Sequence, residues 1–147
     1  MSERHWTEQY LGLPYAQGGD GPNGYNCWGF FRFVQKDHFG ILVPEISEPE
    51  NLPRLLRKVP VAAAELGWAQ ATAPRSGDAV LMAHHTHPSH CGIYVDDVAG
   101  GAVLHCVSGP GSVLHSLRHL AVADWRIVRF YRPVDMLIGR LEVPGHG

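Results

Sequence analysis

Hydrophobic positions change their spacing about halfway along the chain, which predicts helices first and strands afterwards. In the segment CWGFFRFVQKDHFG, residues 27–40, apolar side chains recur at helical spacing, and Asn26 and Gly40 are suited to cap its two ends. From residue 78 onward, β-branched runs separated by Gly or Asp are typical of successive strands. The runs are DAVLMA, HCGIYVDD, GAVLHCV, SVLHSL and RIVRFYRP. This order predicts an α+β fold, with N-terminal helices packed on an antiparallel sheet.

Weaker patterns fill the rest of the chain. Residues 4–11 are expected to form a short helix, and residues 12–26 a loop, because five glycines and two prolines fall within them. Short helical pieces are expected over 53–59 and 61–68. A turn is expected over 71–77, and the tail from Val134 onward is ambiguous.

Composition restricts the class of protein. A chain of 147 residues is expected to form one domain over 1–147. The net charge of −2 gives no basic surface for nucleic acid, and no apolar run is long enough to span a membrane. The first ten residues lack the apolar core of a signal peptide, so synthesis in the cytoplasm without a signal peptide is expected. Three cysteines without CxxC spacing favour reduced thiols.

Cys27 is the candidate nucleophile because it starts the predicted helix. A helix N-terminus carries partial positive charge and free backbone N–H groups, which favour a thiolate and can bind an oxyanion. The glycine-rich approach would let a substrate backbone come close. The competing interpretation is a buried structural thiol, since free cysteines are among the most buried residues.

His90 and His105 are the candidate base and orienting residue. If residues 96–99 connect their strands, the two histidines stand directly opposite each other, and a shift of the pairing by two residues still keeps both on one face of the sheet. One imidazole can then accept the thiol proton while the other orients it. Cys91 and Cys106 alternate onto the opposite face and are expected to be core residues.

The segment HHTHPSH, residues 84–90, invites a metal interpretation. His85, His87 and His90 lack a nearby acidic residue or CxxC pair that would complete a zinc spacing, so no metal site is expected. His84, His85 and His87 are expected to lie at the rim of a cleft.

Four segments resemble the NlpC-type cell-wall cysteine peptidases, a branch of the papain-like fold. LGLPYAQGG resembles the family's Gly-x-Pro-Tyr loop, and NCWGFFRFVQKDHFGILVP its nucleophile helix and exit. SGDAVLM resembles a Pro-Gly-Asp strand start, while SHCGIYV and VLHCVSG resemble the base strand and the strand that follows it. Four segments in the right order are more specific than any one motif.

The resemblance implies Cys27 as nucleophile, His90 as general base and His105 as the third polar residue. It also implies that Tyr15, Asn26 and Trp28 line the substrate site. The expected substrate is a peptidoglycan stem peptide, with the γ-D-glutamyl–diamino-acid bond as the candidate bond, and no cofactor is needed. Asn26 and Trp28 stand where the family usually has Asp and Ser, which bears on recognition of the substrate end group.

Trp28 and the closing strand RIVRFYRP resemble the phage-tail branch of the family. That branch implies phage tail-tip proteins as partners, and action in the virion tail or at the cell wall. Two other functions remain open. One is a non-catalytic tail-assembly or binding module that uses Trp6, Trp28 and Trp68 as a partner surface. The other is an acyltransferase or deamidase with the same Cys–His chemistry.

Overall fold

The computed structural model describes residues 5–43, 67–85 and 87–134. The helical piece expected over 53–59, residues 61–66 of the piece expected over 61–68, and the tail from residue 135 lie outside these residues. Gly67 and Trp68, which end the second piece, are described and are not helical. Within them, no helix is long and apolar enough to cross a membrane.

The N-terminal part of the described chain carries the helices that the hydrophobic spacing predicts. Helix α1 spans Cys27–Val34, and a wider π-helical turn, Gln35–Phe39, continues it. Gly40 ends this segment in the left-handed conformation, where its N–H donates to the carbonyl of Gln35. The helix expected over residues 4–11 is a 3₁₀ helix, Trp6–Tyr10.

Six strands of the described residues form one antiparallel sheet, so the predicted α+β fold is confirmed. The strands are β1 (Ala69–Ala71), β2 (Ala79–His84), β3 (His87–Val95), β4 (Ala102–Val107), β5 (Gly111–Ser116) and β6 (Arg126–Arg132), in the order β1-β6-β2-β3-β4-β5. Five of them match the five predicted runs. Strand β1 and helix α2 (Leu117–Val122) are additions that the hydrophobic pattern did not predict.

Hydrophobic side chains cover both faces of the sheet. On one face, the aromatic side of α1, with Phe30, Phe31 and Val34 fully buried, packs on residues of β3 and β4 such as Ile93 and Leu104. On the other face, Leu120 of α2 packs with residues of β2 and β4. The sheet therefore holds α1 and the central strands β3 and β4 in fixed relative positions.

The connection between β3 and β4 differs from the prediction. Val95 pairs with Ala102 and Ile93 with Leu104, so residues 96–101, rather than 96–99, connect the strands. His90 and His105 therefore do not stand directly opposite each other, and that part of the prediction is wrong. The shift is by two residues, which preserves the side-chain alternation.

Candidate active site

Cys27 is the first residue of α1, and the preceding loop fixes its position. Asn26 Oδ1 accepts a hydrogen bond of 2.7 Å from the Gly29 N–H, and the Asn26 N–H donates to the Gly19 carbonyl at 2.9 Å. A Cβ on Gly29 would lie 2.3 Å from the Gly19 oxygen, so only glycine allows this approach. The Cys27 side chain is held at the helix N-terminus, as the capping pattern predicts.

His90 and His105 contact each other on neighbouring strands. His90 Nε2 lies 2.8 Å from His105 Nδ1, and the rings are nearly perpendicular. Both side chains are buried. The structure thus brings together the two histidines that the sequence singles out, but as diagonal neighbours across β3 and β4.

Gly92 makes this diagonal arrangement possible. Continuing the β3–β4 pairing by one residue sets Gly92 opposite His105. A Cβ on Gly92 would lie 3.1 Å from His105 Cβ and 2.5 Å from a methyl group of Val103. The missing side chain leaves the space in which His105 stands beside His90.

The pKa of the Cys27 thiol lies well below its ordinary value. Its largest cause is a hydrogen bond from the Cys91 side chain, and the charge and hydrogen bond of His90 act in the same direction against burial. Because His90 Nε2 is taken by His105, Nδ1 is the ring nitrogen left for Cys27. The arrangement favours a Cys27 thiolate beside His90.

Cys91 and Cys106 are buried, which confirms that they are core residues. Cys106 Sγ donates to the Tyr25 carbonyl at 3.4 Å. Cys91 Sγ lies 3.6 Å from the Cys27 carbonyl, and its single S–H is shared between that oxygen and the Cys27 sulfur. Burial raises the pKa of Cys106 to about 12 and that of Cys91 well above its ordinary value, and the nearby Cys27 thiolate adds to both shifts. All three cysteines are free, and among them only Cys27 has a lowered pKa. The sequence did not reveal that Cys91 contacts Cys27.

Tyr15 lies near Cys27 on a segment that is tied to the residue before the helix cap. The Ala16 N–H donates to the Tyr25 carbonyl at 3.0 Å, and the Tyr25 N–H donates to the Pro14 carbonyl at 2.9 Å. Burial, and then the negative charge of Cys27, raise the pKa of Tyr15. Its hydroxyl therefore stays protonated and is available as a donor beside the thiolate.

Asn26 and Trp28, which were predicted to line the substrate site, are both buried. The Asn26 side chain is buried as the helix cap. Trp28 is 7% exposed, and its ring stacks on Phe31 with centroids 5.4 Å apart. Their roles in substrate binding stay predictions.

Two further residues join the site without having been predicted from the sequence. Trp125 packs its ring on His90 and His105, with centroid distances of 4.7 and 5.6 Å. His115 of β5 places Nδ1 3.0 Å from His105 Nε2. The β4–β5 hairpin could have indicated His115, because its strand pairing places His115 diagonally beside His105. Trp125 follows α2, which the hydrophobic pattern did not predict.

His84 and His85, the two residues that start the histidine-rich segment, lie beside this site. The rings of His84 and His85 are 4.1 Å apart, and His84 also contacts Trp125 at 5.0 Å. In the part of the chain that the structure describes, no three His, Cys, Asp or Glu side chains are grouped so as to hold a metal ion.

The sequence and the fold have counterparts among known proteins. The model of the NlpC/P60 family matches residues 12–127. The chain is 30% identical over 96 residues to the gamma-DL-glutamyl hydrolase of Bacillus subtilis (strain 168), covering 60% of this chain. It spans only 19% of the length of that relative. The crystal structure of the NlpC/p60 domain of the peptidoglycan hydrolase SagA matches with a TM-score of 0.55 and 21% identity, over 86% of this chain and 91% of that one.

Proposed function

The chain belongs to the NlpC/P60 family of cysteine peptidases and hydrolases, and on that premise we propose that it hydrolyses an amide bond in peptidoglycan stem peptides, with Cys27, His90 and His105 as its triad. One observation carries the proposal. The 2.8 Å contact between His90 and His105 lies beside a cysteine whose pKa is lowered at a helix start.

The mechanism follows from the order of these groups. The Cys27 proton passes to His90 Nδ1, and the resulting thiolate attacks the carbonyl carbon, which places the negative charge on the carbonyl oxygen. His90 Nε2–H donates to His105 Nδ1, which orients the ring and stabilises its charged form. The backbone N–H of Cys27, in the first turn of α1, has no partner within the helix and can donate to the oxyanion.

Collapse of the tetrahedral intermediate breaks the amide bond, and His90 returns its proton to the leaving amine. The product is a thioester on Cys27. Water then attacks the thioester, with His90 as general base, and the acid product leaves as the thiol is regenerated. Protons and electron pairs balance over the two halves without any further group.

The bond proposed for cleavage is the γ-D-glutamyl–diamino-acid bond. Support comes from the name of the Bacillus subtilis relative, a gamma-DL-glutamyl hydrolase, of which this chain matches a part. Tyr15, whose raised pKa keeps its hydroxyl protonated near Cys27, is the proposed donor to the substrate.

We extend the proposal to a setting, a phage or prophage tail component that acts in the virion tail or at the cell wall. Its support is Trp28 after the nucleophile, together with the closing strand β6 (Arg126–Arg132). The alternative binding module loses part of its surface, because Trp28 and Trp68 are only 7% and 6% exposed and lie in the core.

Mass analysis of purified muropeptides tests the proposed reaction. Incubation with the chain should yield fragments split at the γ-D-glutamyl bond, each cleavage adding the mass of one water. Cys27→Ser should leave the muropeptides intact, because a serine hydroxyl beside His90 is a far weaker nucleophile. His85→Asn, at an exposed position, is the matched control and should cleave like the unchanged chain. Intact muropeptides with the folded, unchanged chain would overturn the proposal, and an added amine in the product would indicate an acyltransferase.

A further inference from the structure

We propose that His115 is a positioning residue of this site, which accepts a hydrogen bond from His105 and so holds His105 in the tautomer that can receive the N–H of His90. The inference rests on the proposed function of Cys27, His90 and His105. It adds a fourth member to their hydrogen-bonded chain.

The three imidazoles form a continuous row across β3, β4 and β5. His90 Nε2 lies 2.8 Å from His105 Nδ1, and His105 Nε2 lies 3.0 Å from His115 Nδ1. The two ring pairs have nearly the same geometry, with centroids 5.0 Å apart and interplanar angles of 73° and 71°. The pairing of Val103 with His115 and of His105 with Val113 fixes this placement through the backbone.

Counting the protons on the three imidazoles shows which nitrogen donates and which accepts in each hydrogen bond. A neutral His90 that accepts the Cys27 proton on Nδ1 carries its own proton on Nε2, and it donates that proton to His105 Nδ1. His105 then has its single proton on Nε2, where only an acceptor can satisfy it. His115 Nδ1 is that acceptor, since it lies within hydrogen-bond distance.

The opposite arrangement of protons would disable the site. If His105 carried its proton on Nδ1, it would donate to His90 Nε2, and the His90 proton would move to Nδ1, facing Cys27. His90 Nδ1 could then not accept the thiol proton. In the charged form of His90, the Nε2–H would face the Nδ1–H of His105 and have no acceptor there. Because His105 is fully buried, its neighbours rather than bulk water decide between the two arrangements.

Burial keeps His115 suited to this role. The titratable side chains that face it are His105 from β4 and His119 from α2, whose ring stacks on His115 with centroids 4.3 Å apart. Burial first, and then the neighbouring His119, lower the pKa of His115. A neutral His115 keeps the lone pair on Nδ1 that the row requires.

The test compares His115→Asn with His115→Leu, two side chains of similar size. The Asn Oδ1 can take the place of Nδ1 as acceptor, whereas Leu has no acceptor. The measurement is the rate of Cys27 alkylation by iodoacetamide from pH 5 to 9, with the melting temperature of each variant. Alkylation reports the thiolate and needs no substrate.

We expect His115→Leu to slow Cys27 alkylation at pH 6.5 by about five- to tenfold, the scale of one net hydrogen bond. The pH at which the alkylation rate begins to rise should move to a higher value. His115→Asn should restore most of the rate. His85→Leu, the same kind of change at an exposed histidine, is the control and should match the unchanged chain. If His115→Leu fails to fold, His115→Gln replaces it, because the longer Gln side chain places its acceptor beyond the position of Nδ1.

The outcomes separate this inference from the proposed function. Equal profiles for the unchanged chain, His115→Leu and His115→Asn would overturn the role of His115 while leaving the triad in place. An equal loss of alkylation rate in His115→Leu and His115→Asn, in step with their melting temperatures, would assign His115 a packing role and also overturn the inference. Slow alkylation of Cys27 in the unchanged chain at pH 6.5 would instead overturn the proposed nucleophile.

Discussion

At the scale of single residues, the three cysteines differ in chemistry although all are buried. Cys27 has a lowered pKa from the Cys91 hydrogen bond and from His90, whereas burial raises the pKa values of Cys91 and Cys106. The sequence predicted the separate role of Cys27 from its place after Asn26. It could not predict the Cys91 contact, because that contact depends on how α1 lies across β3.

We expect iodoacetamide to alkylate Cys27 at pH 6–7 at least tenfold faster than Cys91 or Cys106. The sign follows from the pKa shifts. A lowered pKa keeps Cys27 a thiolate as the pH falls below about 8.5, the ordinary value, whereas Cys106, with a pKa of about 12, stays a thiol. Peptide mapping after brief labelling measures the three rates. Equal labelling of all three would contradict the assignment of Cys27.

His90 and His105 are expected to differ in their tolerance of substitution. His90→Ala removes the proton acceptor and should lower turnover by about 10²–10⁴-fold. His105→Asn should keep more activity than His105→Leu, because the Asn Oδ1 can accept from His90 Nε2 at the position of the present Nδ1. Muropeptide turnover and melting temperature are measured on all three variants. Activity that falls only in step with melting temperature would assign both histidines to packing.

At the scale of elements, the β3–β4 hairpin shows how far sequence reasoning reached. The side-chain alternation predicted that His90 and His105 share a face, and their contact confirms it. The predicted length of the connection was wrong. Gly100 and Gly101 both adopt positive φ and belong to the turn, so the connection is two residues longer than predicted. Helix α2 was missed because its six residues bury only Leu120, too little for a helical period to show.

Gly92 is where the hairpin and the site depend on each other. We expect Gly92→Ala to lower both stability and turnover, because the new Cβ would lie 2.5 Å from a Val103 methyl group and 3.1 Å from His105 Cβ. Overpacking of this kind typically costs about 1–3 kcal/mol. Chemical denaturation and muropeptide turnover give the two effects. Gly100→Ala is the control, since a Cβ there would meet nothing within 4 Å and only the positive φ resists the change. Full turnover in Gly92→Ala would show that His105 tolerates displacement.

At the scale of the whole molecule, the sheet order could not be predicted from the strand pattern. Strand β6 comes last along the chain, yet it pairs with β2 on one side and with β1 on the other. Periodicity identifies a strand and its buried face but carries no information about a distant partner. The resulting path leads through α2, Trp125 and β6, and so places the Trp125 ring over His90 and His105.

The same burial that organises the site should make the fold sensitive to acid. Burial, with charge repulsion from His90 and His115, lowers the pKa of His105 well below its ordinary value, so the folded chain resists a proton that the unfolded chain accepts near pH 6.5. Between that pH and the lower folded pKa, the unfolded state binds more protons, so the free energy of unfolding decreases as the pH falls. The slope for one such histidine is at most about 1.4 kcal/mol per pH unit.

Denaturant titrations from pH 7.5 to 5 measure this slope, and Cys27→Ser is the suitable background because the Cys27 thiolate contributes a dependence of the same sign at higher pH. In that background we expect stability to fall below about pH 6.5. Adding His105→Asn should reduce the slope, because Asn has no group that the unfolded state protonates and the folded state does not. Adding His85→Asn, at an exposed position, should leave it unchanged. An unchanged slope in His105→Asn would show that other groups, such as His38 and His115, whose pKa values burial also lowers, control the acid response.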